Sequence, residues 1–179
     1  MNQHEMLDWE LLGRCSKVSF KCDMSEQSRR LLENELRGLD GRDKGILAYW
    51  EGVPPKSTFQ QRDRNFHPTA SAKLADAQWR AILEKFVPKE PLKGALAFRL
   101  VVTWPHTRET AKLAGGAPVR KTTRPDGVNI LKGVEDIMTS LGYWRDDNQL
   151  AVETVERWHG EMSGVLIEVK ELHDDGRCG

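Results

Sequence analysis

Nowhere in its 179 residues does this chain carry a run of about eighteen apolar side chains, which excludes a transmembrane helix. The opening Met1-Asn2-Gln3-His4-Glu5 has no basic segment leading into an apolar one, so no secretory leader is expected. Cysteine is scarce. Cys15, Cys22 and Cys178 are three in number and form no CxxC pair, so neither a disulfide framework nor a zinc knuckle fits. A reducing, cytoplasmic setting suits such usage. No GxGxxG and no GxxxxGK[ST] occurs, so no nucleotide cofactor is expected. No GxSxG elbow is present, and the five histidines (4, 67, 106, 159, 173) never reach metal-ligand spacing. Fixed-period repeats and low-complexity tracts are also missing, which removes solenoid and linker readings.

What is present is enough for one domain. Apolar residues make up 39% of the chain and charged residues 30%, and six tryptophans help build a core. The tryptophans (9, 50, 79, 104, 144, 158) read as core or interface before they read as base-stacking platforms. Trp144 is set apart because it adjoins Asp146-Asp147. Twenty-seven basic and twenty-seven acidic side chains cancel, so net charge identifies no partner. Their distribution says more. Between Arg108 and Lys132 lie six Lys or Arg against only Glu109 and Asp126, and the acids gather later, from Glu135 to Glu171. A basic segment in a neutral chain can grip a polyanion, or can be a solvated loop.

Three parts are expected along the chain: an extension over residues 1–45, a domain over 46–172 and a disordered tail over 173–179. Ser25 to Leu39 has helical spacing within the extension, and Met24-Ser25 reads as an alternative start. Ile46 to Glu51 reads as a strand stopped by Pro54-Pro55. A polar, basic loop over 56–70 precedes a helix from Ser71 to Phe86, with Leu74, Trp79, Ile82, Leu83 and Phe86 as its apolar stripe. Ala95 to Trp104 alternates as a strand, and Pro105 to Thr123, with Gly115-Gly116, reads as a long loop. Asp126 is placed to cap a helix of about fifteen residues that Gly142 ends. On that helix Ile130, Leu131, Val134, Ile137, Met138 and Leu141 share one face, while Asn129, Lys132 and Asp136 share the other. Gln149 to Trp158 is a strand, a turn at Gly160 to Gly164 follows, and Val165 to Lys170 is the last strand. Alternating strands and helices predict an α/β or α+β fold, a mixed β-sheet with helices packed on it.

One constellation carries chemistry. Asp126 starts a helix, Lys132 lies one and a half turns on, and Asp146-Asp147 sit in a short connection before a strand. Carboxylates from a helix start and a strand start can hold Mg²⁺, a hard ion that takes oxygen ligands and keeps several waters. Such an ion polarises a phosphodiester and activates water, and a nearby ammonium offsets charge on the phosphate. A cap, a turn and an exposed helix lysine account for the same residues without any ion.

The stretch Lys121-Thr122-Thr123-Arg124-Pro125-Asp126-Gly127-Val128-Asn129-Ile130-Leu131-Lys132, then Asp136, then Leu141-Gly142-Tyr143-Trp144-Arg145-Asp146-Asp147-Asn148-Gln149 resembles the RusA-like Holliday junction resolvases. Their pattern is K/R-P-D-x-D-N-x-x-K, a helix, a G-aromatic stretch and D-D-x-Q. The resemblance runs from about Ile46 to Leu172 and leaves residues 1–45 unexplained. It implies an endonuclease of DNA recombination and repair, common in prophages, that cuts four-way junctions with Mg²⁺ and works as a homodimer in the cytoplasm of a bacterial or phage-infected cell. It also implies Asp126, Lys132 and Asp147 as catalytic residues, with Asp126 and Asp147 on the metal and Asp146 as a further candidate ligand. Arg120, Lys121, Arg124 and Asn129 are the residues expected on DNA. One position departs, because the second Asp of D-x-D falls on Val128, which cannot ligate a metal. Two rivals follow: a junction-binding module with weakened or lost cleavage, and an interaction protein whose residues 1–45 dock a partner.

Overall fold

Eleven residues, Ala95–Pro105, alternate between buried and half-buried with hardly a break, and this strand, β2, is the axis of the fold. The computed structural model describes residues 45–56 and 67–172. Expectations for Ser25–Leu39, the middle of the loop after Lys56, the three cysteines, Trp9 and the tail fall outside these residues. On one side β2 pairs antiparallel with β5 (Gly164–Leu172), which in turn pairs with β1 (Gly45–Glu51). On its other side β2 runs parallel to β4 (Leu150–Gly160), whose far end pairs with the two-residue β3 (Val119–Arg120). The sheet is therefore mixed, in the order β1-β5-β2-β4-β3. With the helices it forms the expected α+β fold.

Parallel neighbours need a long crossover, and residues 106–149 supply it between β2 and β4. Its main element is α3 (Gly127–Leu141), which follows α1 (Ala70–Leu83) and the short α2 (Arg108–Ala114) in the chain. Asp126 caps α3 through a bond from the Val128 N–H, and Gly142, at φ 84°, closes it in the left-handed region that favours glycine. The expected helix over 71–86 is α1 followed by a 3₁₀ turn at Glu84–Phe86. Leu74 does not join its stripe: it is 60% exposed, and Ala72 and Ala75 face inward instead. Small residues there let the helix lie close to its neighbours.

The expectation of a loop from Pro105 to Thr123 needs correction. Thr107 and Thr110 form a reciprocal capping box that starts α2, and Gly115 ends it in the left-handed conformation. No residue of α2 is buried, so no apolar period marks it in the sequence. The placing of the last two strands is something the sequence pattern leaves open. Only residues 161–163 join β4 to β5, yet the two are not partners, because β2 lies between them. Skipping one strand spans about 10 Å, within reach of three extended residues.

The core lies on one face of the sheet. Trp79, Leu83 and Phe86 of the α1 region and Ile130, Val134, Ile137 and Met138 of α3 pack against Leu96, Phe98, Leu100 and Val102. Trp144 belongs here. It is 1% exposed, lies 5.9 Å from the Phe98 ring and donates its Nε1–H to Thr139 Oγ1 at 2.7 Å. That corrects its setting apart: it anchors the chain behind Asp146-Asp147 and offers no surface for a base. Tyr143 does the same from the other side, its hydroxyl donating to the Leu83 carbonyl at 2.8 Å. Burial pushes its phenol well above the ordinary range. The opposite sheet face carries a partly exposed ion network, Arg99 with Glu156 and Glu168, and Lys170 with Glu168. No described helix is long and apolar enough to cross a membrane.

Candidate active site

The connection from α3 into β4 is held by one glutamine. Gln149 Oε1 accepts from the Arg145 N–H at 2.9 Å and the Asp146 N–H at 3.2 Å. Its Nε2 donates to the carbonyls of Leu92 and Gly94 at 3.3 and 3.0 Å, just before β2. Four bonds from one amide tie the two-aspartate turn to the sheet, which explains what a glutamine does in D-D-x-Q. Asp146 completes the turn by accepting the Asn148 N–H at 2.9 Å. That bond, first among several causes, holds its exposed carboxyl below the usual range. Asp147 is thereby left to face the neighbouring cleft.

This cleft, of about 390 Å³, lies between α3 and the start of β4. Val128, Leu131, Lys132 and Glu135 line it from the helix; Asp147, Asn148, Leu150 and Glu153 line it from the turn and strand. Three carboxylates face one ammonium. Glu135 is the unusual member, only 8% exposed, with an Oε1 that finds no hydrogen-bond partner. Burial, then the negative Glu153, raises its pKa to about 7, with smaller contributions from Asp136 and Asp147 and opposition from Lys132.

The cleft thus brings together Lys132 and Asp147 of the residues expected to act. Asp126 sits at the helix start beside it, its Oδ1 3.3 Å from the Val128 N–H, and does not line the cleft; nor does Asp146. Val128 is 67% exposed at the helix end of the cleft. Asn129 is half-buried in the first turn of α3. The other residues expected on DNA lie on the segment that leads into that helix. Arg120 is on β3 with its guanidinium 4.8 Å over the Trp158 ring. Lys121 Nζ lies 5.4 Å over the Trp104 ring and donates to Thr123 Oγ1 at 2.6 Å. Burial and the nearby Arg157 depress its pKa. Arg124 is exposed, before a cis bond to Pro125.

Sequence reasoning misses Glu135 and Glu153. Glu135 had a signal: it interrupts the apolar run between Val134 and Ile137, and it lies seven residues from position 128. Seven helical residues return to within about 20° of the same direction, so the two share a face. Glu153 had none, being one of several acids on an alternating strand.

Oxygen donors without thiolate or imidazole suit a hard divalent cation, and the unpaired Glu135 oxygen is a donor in want of a partner. Among the described residues no three acids are drawn together closely enough to enclose an ion on their own. Mg²⁺ needs only one or two carboxylates, its other positions being taken by water and substrate phosphate.

An α+β layer that sets an acidic cleft beside a basic strip offers groups suited to a divalent ion and to a polyanion. Comparison with known proteins narrows the class. The family model described as endodeoxyribonuclease RusA matches residues 52–170. A protein of Lactococcus phage r1t, "Crossover junction endodeoxyribonuclease rusA", is 31% identical over 93 residues, covering 52% of this chain and 69% of the relative. The chain belongs to the RusA endodeoxyribonuclease family and is an endodeoxyribonuclease, a hydrolase acting on DNA.

Proposed function

We propose that this protein is a Mg²⁺-dependent, structure-selective endonuclease that resolves four-way DNA junctions, working as a homodimer. The observation that carries the reading is the cleft itself: Lys132 and Asp147 meet there, next to the basic segment that enters α3. In this reading Arg120, Lys121 and Arg124 hold backbone phosphates, and Asn129, at the helix start, assists them. Such contacts position the strand without reading its sequence. Asp147 in the cleft and Asp126 at the helix start supply the negative oxygens for the ion, with water and substrate phosphate at its other positions. Bound Mg²⁺ would supply Lewis-acid polarisation of the phosphodiester and a more acidic water. Lys132 places an ammonium where negative charge grows on the phosphate oxygens and the leaving sugar oxygen. Hydrolysis joins the oxygen of water to phosphorus, breaks one phosphorus–oxygen bond to a sugar, and passes the proton of water to the departing oxygen. Two sites related by a two-fold axis would suit a junction whose strands are themselves symmetry-related. The low cysteine content and the phage relative support a reducing bacterial or phage-infected cytoplasm.

Val128 favours a second reading. An exposed apolar side chain stands where D-x-D would put an acid, so the same fold could grip junctions with weakened cleavage. A labelled synthetic four-way junction and a matched linear duplex, each with Mg²⁺ or with EDTA, test both. Paired cuts in the junction alone, only with Mg²⁺, are the expected result. Tight junction binding without cuts would favour the second reading, and equal treatment of junction and duplex would overturn both.

A further inference from the structure

The cleft holds a charge problem that the fold does not solve. Glu135, Asp147 and Glu153 line it against a single ammonium, Lys132. Ionised, they leave about two uncompensated negative charges, and one of the three is out of water. Glu135 is 8% exposed and its Oε1 has no partner, although leaving a buried polar atom unpaired is costly. A neutral Gln at this position would carry no charge to bury. A buried carboxylate aimed into a solvent-reachable acidic cleft is suited to an incoming cation.

We infer that Glu135, backed by Glu153, is a metal-holding residue of this chain, and takes over from the helix position occupied by Val128. Both positions lie on the cleft side of α3, two turns apart, so the carboxylate has moved along the helix face rather than vanished. The excess charge of the cleft matches a divalent ion, and the oxygen donors match Mg²⁺ or Mn²⁺. Glu153 on β4 adds negative potential from the sheet side.

This inference rests on the cleft being the nuclease site, and the two fail differently. Mn²⁺ binding to the full chain, read by electron paramagnetic resonance and calorimetry without DNA, is the primary measurement. Glu135→Gln should weaken Mn²⁺ binding at least fivefold, and Asp147→Asn should do likewise. Adding Val128→Asp to Glu135→Gln should restore part of the loss. Circular dichroism and the melting temperature check the fold of each variant. Should Glu135→Gln fail to fold, Glu153→Gln at its exposed strand position carries the test, with at least a twofold loss expected. Unchanged Mn²⁺ affinity in Glu135→Gln, or in Glu153→Gln where that variant stands in, overturns the inference. If Asp147→Asn weakens Mn²⁺ binding while Glu135→Gln does not, the inference alone falls. If Asp147→Asn also leaves Mn²⁺ binding and junction cutting intact, the assignment of the cleft falls with it.

Discussion

The Arg157 guanidinium on β4 donates through Nη1 to the Pro125 carbonyl at 2.7 Å, and the same nitrogen reaches the Thr123 carbonyl at 3.2 Å. The Lys121 N–H answers by donating to the Arg157 carbonyl at 2.8 Å. One strand residue therefore fastens both ends of the segment that carries Lys121 and Arg124 into α3. Gly127 fits against it closely: a Cβ there would lie 3.0 Å from Arg157 Nε. Orientation of the basic strip relative to the cleft depends on this side chain.

Arg157→Gln removes the charged donor while keeping a polar tip. Charge-assisted bonds to backbone carbonyls are worth about 1.5–3 kcal/mol when buried, and partial exposure brings the expected loss to about 1–2 kcal/mol. Urea unfolding with an unchanged m-value measures it. Junction affinity should fall as well, although Arg157 need not touch DNA. Arg157→Lys should recover only part of the loss, since the shorter lysine side chain brings its ammonium less close to the two carbonyls.

Reversing the charge of Arg120, Lys121 and Arg124 together should weaken junction binding and flatten its dependence on salt. Each lost phosphate contact lowers the slope of log K against log salt by about 0.9, so a change of two to three is expected. Titration of a labelled junction from low to moderate salt reads the slope. An unchanged slope would mean that this segment is a solvated strip.

Val128→Asp restores a carboxylate at an exposed position in the first turn of α3. The helix dipole favours an acid there and nearby acids oppose it, so stability should change by less than about 0.5 kcal/mol. Mn²⁺ affinity and junction cleavage should both rise. A variant that folds as well as the natural chain, yet gains neither, would show that position 128 lies outside the reach of the ion.

Glu135 makes the metal-free protein sensitive to pH. Its folded pKa of about 7 stands above the ordinary 4.5, because burial and Glu153 disfavour the charged form while Lys132 partly offsets them. The folded state therefore prefers the protonated acid. The stabilisation is full below about pH 4.5 and drains away as pH rises through 7. In EDTA, the melting temperature of the natural chain minus that of Glu135→Gln should fall across that window and level off above it. A flat difference would mean that Glu135 titrates normally.

Much of this molecule is legible in the order of its residues. The strands at 95–105 and 164–172 follow from alternation, the strand at 45–51 from a short apolar run stopped by Pro54-Pro55, and α3 from a capping Asp126, a clean apolar face and a terminal Gly142. These signals are local: they depend on residues a few positions apart, where backbone geometry converts spacing directly into a face. Lys132 and Asp147 were likewise visible as charged residues at a helix and a turn. By contrast α2 left no trace, since a helix that buries nothing needs no apolar period.

What only the tertiary structure decided is which distant residues share space. That β2 enters between β4 and β5, that Gln149 binds backbone before β2, and that Glu153 comes across from β4 to face Glu135 all depend on sheet order. A short connection between two strands is compatible with a hairpin or with a strand inserted between them, and local pattern cannot separate the two. The chemistry of Glu135 is of the same kind. As a letter it is one more acid on a helix; only packing removes its water, leaves an oxygen unpaired and places it beside other carboxylates, because desolvation and charge coupling arise from the neighbours that folding supplies.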